Sequence, residues 1–296
     1  MRQRWSANLA ALILGGLLLA GCASHDNARQ EPVALPETGF EVRSSVRFSP
    51  EDWPEALFAD LYLPERPGPS PAVLLVHGGG WERRSREDMT WIAEELAGRG
   101  FAVMNIDYRF APEYTFPAQL HDLQVAMRWL REHARDYRID PGTISAFGFS
   151  SGAHLVSLLA LTSDPGNPLS EPHGGPATRP VAVVAGGIPS DLRRFDSGRL
   201  IRQFLGGTEQ EKPDAYRLAS PIVHVSPEAP PFFLFHGNLD MLVPPEQAED
   251  FHKALLEQGV HSELYMMYLR GHITSFLTAG TAVEQATDFL ARFGRG

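Results

Sequence analysis

The sequence is poor in cysteine and in positive charge. A single cysteine among 296 residues leaves no partner for an intrachain disulfide and excludes a zinc site made of cysteines. The 26 lysines and arginines are outnumbered by 36 aspartates and glutamates, so the net charge is −10. Nucleic-acid binding needs a basic surface that neutralises phosphates, and no nucleic-acid partner is therefore expected. The apolar fraction of 43% suits one globular domain of ordinary size.

An apolar run near the start of the chain is too short to cross a membrane. Residues 9–20 are apolar and uncharged and follow Arg2 and Arg4, but they fall short of the roughly 20 residues that a spanning helix needs. A basic start followed by such a run is typical of a secretory signal peptide. The run ends in Leu19-Ala20-Gly21-Cys22, a tetrapeptide that resembles the bacterial lipobox.

The lipobox resemblance implies both a division of the chain and a location. Residues 1–21 would be a signal peptide cleaved before Cys22, whose diacylated thiol would anchor the protein in the membrane. Ala23, which is neither Asp nor Gly, implies sorting to the outer membrane of a bacterial cell envelope, facing the periplasm. Residues 22–38 are then predicted to be a tether, and residues 39–296 the folded domain. The alternative is an ordinary signal peptide with an incidental cysteine.

Apolar runs of strand length alternate with helical patterns from about residue 71 onward. Residues 72–76 form a continuous apolar run, as in a strand buried on both faces, and residues 274–293 are predicted to be one long final helix. Such alternation predicts an α/β fold with a mostly parallel central sheet and helices on both faces. Residues 163–180 and 189–226 interrupt it and are long enough to form lids or pocket walls, including a small cap insertion.

The segment Gly148-Phe149-Ser150-Ser151-Gly152 matches the pattern G-x-S-x-G. A predicted strand ends just before it and a predicted helix begins at about Ser151, so Ser150 falls on a sharp turn between them. Such a turn lifts the serine hydroxyl clear of the sheet, and the start of the helix adds partial positive charge where an oxyanion develops. Ser150 at the centre of the motif is therefore the predicted nucleophile, with a structural turn serine as the alternative.

A serine hydroxyl needs a base and an acid that orients the base. Where this turn carries the nucleophile, the chain order is serine, acid, histidine. His272 follows the last predicted strand and Asp240 follows the preceding one, so both lie at the carboxyl edge of the sheet, where sites in such folds collect. The predicted triad is Ser150, Asp240 and His272, with Asp191 as the reserve acid. His154, on the helix after the nucleophile, is expected to pack or to cap.

A glycine-rich loop follows the buried strand at residues 72–76. It reads His77-Gly78-Gly79-Gly80-Trp81, and glycines let the main chain approach a substrate carbonyl closely. The N–H groups of Gly79, Gly80 and Ser151 are predicted to form the oxyanion hole. Trp81 and Phe149 are expected to wall the substrate pocket. Phe195, Phe204 and Leu205 could line that pocket too or could be the core of a cap.

Four stretches together resemble the α/β-hydrolase superfamily, and within it the hormone-sensitive-lipase-like and feruloyl- or acetyl-xylan-esterase-like carboxylesterases. They are residues 77–81, 107–113, 148–152, and 236–244 with Gly271-His272. The resemblance implies a serine carboxylesterase that hydrolyses short to medium acyl esters through an acyl-enzyme, with no cofactor and no metal. It also implies that residues 107–113 are a structural brace near the oxyanion loop, a role carried over to Asp107 and Arg109 only.

Two departures and two alternatives accompany this resemblance. The acid segment Asn238–Pro244 differs from the D-P-L-x-D pattern of hormone-sensitive lipases, and Ile273 stands where glycine is common after the histidine. Loops of the form H-G-G-x-W also occur in kynurenine-formamidase-like proteins, so an aryl-formamidase or amidase is the second hypothesis. A third is a catalytically silent hydrolase-fold lipoprotein of the envelope.

Overall fold

The structure is a computed structural model that describes residues 23–28, 33, 35, 37–195 and 198–293. The described strands form one nine-stranded sheet in the order β1-β9-β8-β7-β6-β4-β5-β3-β2. Strands β4 to β9 are parallel, while β1 and β3 run antiparallel to them. The strands are β1 (Ala23–Asp26), β2 (Phe40–Arg47), β3 (Phe58–Pro64), β4 (Ser70–Val76), β5 (Ala102–Ile106), β6 (Ile139–Phe149), β7 (Val183–Gly186), β8 (Phe232–Gly237) and β9 (Ser262–Met267).

Helices cover both faces of this sheet, and each face has its own apolar core. The helices are α1 (Thr90–Gly98), α2 (Ala118–Glu132), α3 (Ser151–Leu161), α4 (Arg199–Leu205), α5 (Pro213–Leu218), α6 (Glu246–Glu257), α7 (His272–Leu277) and α8 (Gly280–Phe293). Helices α2, α3 and α6 contribute to one core, and α1 and α8 to the other. The α/β fold predicted from the alternating pattern is confirmed.

Strand β4 is apolar along most of its length because it is covered on both faces of the sheet. Leu74 and Val76 are buried in one core, and Val73 and Leu75 in the other. Because side chains alternate across a strand, a strand covered on both faces must be apolar at every position. This continuous apolar run leads directly into the glycine loop at the carboxyl edge of the sheet, where the candidate site is built.

The start of the described chain differs from the predicted tether. Residues 23–26 are not a free linker but form β1, which pairs antiparallel with β9 at the edge of the sheet. Further along, Val33 and Leu35 pack against the core that includes α8. A short polar segment gains a fixed position here because an open sheet edge supplies backbone hydrogen-bond partners.

The final helix and one of the two interruptions also differ from prediction. The helix predicted over residues 274–293 is two helices, α7 and α8, because the chain turns at residues 278–279. The segment 163–180, predicted to be a lid or pocket wall, packs on α2 instead: Gln124 and Arg128 donate hydrogen bonds to the carbonyls of Leu169 and His173. No helix among the described residues is both long and apolar enough to cross a membrane.

Candidate active site

Ser150 occupies a strained turn between the end of β6 and the start of α3. Its backbone φ is +54°, a region that residues with a Cβ rarely adopt. The two motif glycines make the turn possible. A Cβ on Gly148 would lie 2.3 Å from the backbone of Gly152, and one on Gly152 would lie 2.2 Å from the carbonyl oxygen of Val76. Only glycine therefore fits on either side, and the hydroxyl of Ser150 stands free at the edge of the sheet.

The structure brings together the three residues of the predicted triad. Oγ of Ser150 donates a hydrogen bond to Nε2 of His272 across 2.8 Å, and Nδ1 of His272 donates to Oδ2 of Asp240 across 2.6 Å. His272 is the first residue of α7, and Asp240 lies in the loop after β8. Three segments far apart in the sequence thus meet because parallel strands end at the same edge.

Asp240 is buried and is held in its ionised form. Burial by itself would raise the pKa of Asp240, but hydrogen bonds from His236 and His272 and from the backbone of Val243 lower it below its usual range. Nε2 of His236 lies 3.3 Å from Oδ2 of Asp240 and donates to the carbonyl of Val243 across 2.8 Å. His236 is a positioning residue that sequence reasoning missed. Its place near the end of β8, four residues before Asp240, could have pointed to this contact.

The glycine loop presents free backbone donors beside Ser150. Gly79 and Gly80 have φ values of +120° and +65°, which favour glycine. Within the described ranges, no carbonyl accepts a hydrogen bond from the N–H groups of Gly79, Gly80 or Ser151. Ser151 is the first residue of α3, where an N–H has no acceptor in its own helix. The three N–H groups predicted to form the oxyanion hole thus lack a backbone acceptor in the described structure, and Gly79 and Gly80 line the cleft beside Ser150.

Tyr108, rather than Arg109, contacts the oxyanion loop. The hydroxyl of Tyr108 lies 3.2 Å from the carbonyl oxygen of His77 and 3.2 Å from Oγ of Ser151, and its ring stacks on the imidazole of His77. Asp107 approaches the loop less closely, with Oδ1 4.0 Å from Nε2 of His77. The expectation that the segment braces the loop therefore holds through Tyr108, which sequence reasoning did not single out.

Arg109 was expected to be part of a structural brace near the oxyanion loop, and the structure places its guanidinium against α2. Its guanidinium pairs with the buried carboxylate of Asp122 at 2.7 Å and donates to the carbonyl of Ala118. It also lies over the rings of Trp53 and Tyr114. The structural role of Arg109 is therefore exerted through the fully buried carboxylate of Asp122 on α2.

A cleft of about 530 Å³ opens beside Ser150. Phe149 and Trp81 border it, as predicted, although the indole of Trp81 is largely buried and stacks on Phe204. The cap segment contributes Phe195, Leu200 and Ile201. Phe204 and Leu205 belong to the core beneath the cap, whereas Phe195 faces the cleft. The cleft is mostly apolar, which suits an uncharged group next to the nucleophile.

The remaining predicted residues lie elsewhere. Asp191, the reserve acid, accepts hydrogen bonds from the backbone and guanidinium of Arg193, which leaves the carboxylate of Asp240 as the partner of His272. His154 packs, as predicted: it accepts a hydrogen bond from the indole of Trp81 and donates to the carbonyl of Ala219.

The predicted signal peptide and Cys22 lie outside the described residues. In the part of the chain that the structure describes, no group of His, Cys, Asp or Glu side chains could hold a metal ion.

Two mycobacterial proteins are similar to the chain over most of its length. Esterase LipQ of Mycobacterium tuberculosis is 29% identical over 233 residues, which are 75% of this chain and 55% of LipQ. Esterase LipC of the same organism is 33% identical over 193 residues, 62% of this chain and 47% of LipC. The chain thus spans about half the length of these curated relatives.

Solved structures and a family comparison agree with this similarity. A truncated carbohydrate esterase from gut microbiota superimposes with a TM-score of 0.78 at 26% identity, covering 89% of this chain and 100% of that chain. The esterase Est2 of Thermogutta terrifontis, solved with propionate bound, gives a TM-score of 0.71 at 26% identity, with 86% and 95% covered. The BD-FAE family matches residues 59–255, well over half of the chain and inclusive of the nucleophile turn, the glycine loop and Asp240. The chain therefore belongs to the BD-FAE family.

Proposed function

We propose that the protein is a serine carboxylesterase that hydrolyses esters of short to medium acyl chains. The observation that carries the proposal is the hydrogen-bonded series from Ser150 through His272 to the ionised Asp240, placed beside the free N–H groups of the glycine loop. This arrangement supplies a nucleophile, a base, an orienting acid and donors for an oxyanion, which are the parts that acyl transfer needs.

The reaction has two half-reactions. His272 accepts the hydroxyl proton of Ser150 as Oγ bonds to the ester carbonyl carbon, and the carbonyl electron pair moves to oxygen. The N–H groups of Gly79, Gly80 and Ser151 stabilise that oxyanion, and one such donor lowers the activation barrier by about 3–4 kcal/mol. The alcohol leaves with the proton held by His272, and the acyl group stays on Oγ. Water then repeats the attack with His272 as base, which releases the acid and restores Ser150.

The size and the lining of the cleft support a short to medium acyl group. The cleft holds about 530 Å³ and is bordered by apolar side chains such as Phe149, Phe195 and Leu200. Binding sites for small molecules occupy about 300–1,000 Å³, and this cleft lies in the lower half of that range. The propionate in Est2 and the carbohydrate ester specificity named for the gut esterase are compatible with small acyl groups on a polar alcohol.

The test is a series of nitrophenyl esters from acetyl to palmitoyl, assayed with the full chain and with Ser150→Ala. Turnover that peaks at short chains and is lost in the variant is the expected result. Preferential hydrolysis of N-formylkynurenine would replace the esterase with an aryl-formamidase. No turnover of any substrate, together with an unreactive Ser150, would leave a silent envelope lipoprotein.

We also propose that the protein is a lipoprotein of the cell envelope, anchored through acyl chains on Cys22 in the outer membrane and facing the periplasm. The support is the sequence alone: the basic start, the apolar residues 9–20 and the tetrapeptide that ends in the only cysteine. Metabolic labelling with a palmitate analogue is expected to mark the wild-type chain and not Cys22→Ser. A wild-type chain that stays unlabelled and soluble would contradict the anchor without bearing on ester hydrolysis.

A further inference from the structure

Six exposed apolar side chains lie on the segments that border one side of the cleft. They are highly accessible: Met241 is 96% exposed, Leu269 is 73% exposed and Leu277 is 71% exposed. Such a concentration of exposed aliphatic groups is uncommon on a soluble surface and marks a place of contact. We call this set the apolar rim, and it consists of Leu239, Met241, Leu242, Leu269, Ile273 and Leu277.

The apolar rim is built from three segments of the chain that meet at the carboxyl edge of the sheet. It comes from the loop after β8, the loop after β9 and helix α7. The two loops are joined where the backbone N–H of Leu239 donates to the carbonyl of Arg270 across 2.9 Å. Leu242, Ile273 and Leu277 also line the cleft, so the rim and the mouth of the cleft face the same way.

Strand β1 brings the start of the described chain to the same edge. Ala23 pairs with Met267, the last residue of β9, and Asp26 pairs with Leu264, so β1 runs away from that edge. The carbonyl of Met267 accepts a hydrogen bond from the N–H of Asn238 across 3.0 Å, directly before the rim residue Leu239. Ala23, the residue that follows Cys22 in the sequence, therefore lies beside the loops that carry the rim.

Side-chain contacts fix β1 against the sheet. Nε2 of His25 lies 3.0 Å from a carboxylate oxygen of Glu263, and the amide of Asn27 donates to the carbonyl of Ser262 across 2.8 Å. Acyl chains on Cys22 would therefore be attached one residue before an ordered strand. An anchor at this position holds one edge of the molecule close to the membrane, and that edge carries the apolar rim.

We propose that the apolar rim rests on the surface of a lipid bilayer, with the mouth of the cleft turned toward the membrane. The proposal commits to a bilayer because Cys22, the proposed site of acylation, directly precedes Ala23, and Ala23 begins β1 at this edge. It rests on the proposed anchor at Cys22 and is independent of the proposed ester hydrolysis. The rim supplies aliphatic groups that insert among lipid headgroups, as in other interfacial proteins.

The test uses single cysteines placed on and away from the rim. Cys22 is the only native cysteine, so its acylation leaves an introduced thiol as the sole reactive one. Met241→Cys and Leu269→Cys report on the rim. Leu256→Cys is the matched control, because Leu256 is also an exposed leucine, at 42%. It lies near the end of α6 and therefore at the amino edge of the sheet, opposite the rim.

The full acylated chain is labelled with an environment-sensitive nitrobenzoxadiazole dye. It is then reconstituted in phosphatidylcholine and phosphatidylethanolamine vesicles that contain spin-labelled lipid.

Both rim labels are expected to shift their emission to shorter wavelength and to lose most of their fluorescence to the spin-labelled lipid, while the Leu256→Cys label keeps the emission of a dye in water. Rim labels that behave like the control would overturn the proposal. A shift without quenching by lipid would also overturn it and would assign the rim to a second copy of the chain. A chain that does not float with vesicles would overturn the anchor and this proposal together, and hydrolysis of nitrophenyl esters by the same sample would show that the proposed activity stands.

Discussion

The indole of Trp81 and the imidazole of His154 are joined by a hydrogen bond of 3.3 Å from Nε1 to Nδ1. Nε2 of His154 in turn donates to the carbonyl of Ala219 across 2.6 Å. One buried histidine thus links the glycine loop, the helix behind the nucleophile and the segment beneath the cap. Both nitrogens are used in the neutral form, and burial lowers the pKa of His154 to about 4 although the bond to Ala219 favours the cation.

His154 is expected to make the protein less stable as the pH falls. Between its ordinary pKa of 6.5 and the lowered value of about 4, the unfolded chain binds a proton that the folded chain does not. The free energy of unfolding should therefore fall by about 2 kcal/mol from pH 7 to pH 5 on account of this group. Urea unfolding at the two pH values, with wild type and His154→Gln, measures the contribution. The variant should show a smaller decrease, and an equal decrease in both proteins would contradict the assignment.

Asp240→Asn is expected to reduce kcat by about 10⁴-fold, because an amide cannot hold the imidazole in the required tautomer or stabilise its cation. The pKa of Asp240 is held below its usual range by its hydrogen bonds, so its carboxylate stays charged throughout the pH range of the assay. Steady-state hydrolysis of a short nitrophenyl ester measures the effect. Asp191→Asn is the matched control and should retain activity; the opposite ranking of the two variants would make Asp191 the catalytic acid.

Gly79→Ala is expected to reduce kcat by about 10²–10³-fold, as expected for the loss of an oxyanion donor. The added Cβ would lie 2.0 Å from the carbonyl oxygen of Arg83, and the backbone φ of +120° disfavours alanine. The loop must therefore move away from the substrate carbonyl. Gly98→Ala at the end of α1, where nothing lies within 4 Å of the new Cβ, should leave kcat unchanged. A Gly79→Ala enzyme of normal kcat would remove this loop from the oxyanion hole.

Arg109→Met is expected to lower the free energy of unfolding by about 3–5 kcal/mol, the usual result of removing one partner of a buried ion pair. The guanidinium lies 2.7 Å from the carboxylate of Asp122, and burial already raises the pKa of Asp122 despite this pairing. Urea unfolding is the measurement. Arg193→Ala breaks a pair whose arginine side chain is 40% exposed and should cost no more than about 1 kcal/mol. Equal losses in the two variants would show that the buried pair contributes no more than a surface one.

The nucleophile turn and the glycine loop could be predicted because their requirements are local. A positive φ at Ser150 needs small neighbours within two residues, and Gly148 and Gly152 supply them. The continuous apolar run of β4 likewise predicts burial on both faces, because a strand with no polar face must be covered on both sides.

The remaining features depend on contacts between distant segments. Strand β1 is short and polar, and its position comes from an open edge at β9 and from Glu263, which lies far away in the sequence. The partner of Arg109 could not be predicted, because Asp122 becomes its neighbour only after α2 packs. The chain breaks between α7 and α8 at Thr278, whose hydroxyl donates back to the carbonyl of Thr274 across 2.7 Å, and the helical pattern continues through that point unchanged.

The most direct test of the account is to locate the residue that a fluorophosphonate probe modifies. The full chain is treated with the probe, digested and analysed by mass spectrometry, beside Ser150→Ala and His272→Gln. Modification is expected at Ser150 alone in the wild type and at no residue in Ser150→Ala. Labelling should be greatly slowed in His272→Gln, because His272 is the base that activates the hydroxyl. Modification at another residue, or wild-type labelling and ester turnover in Ser150→Ala, would contradict it.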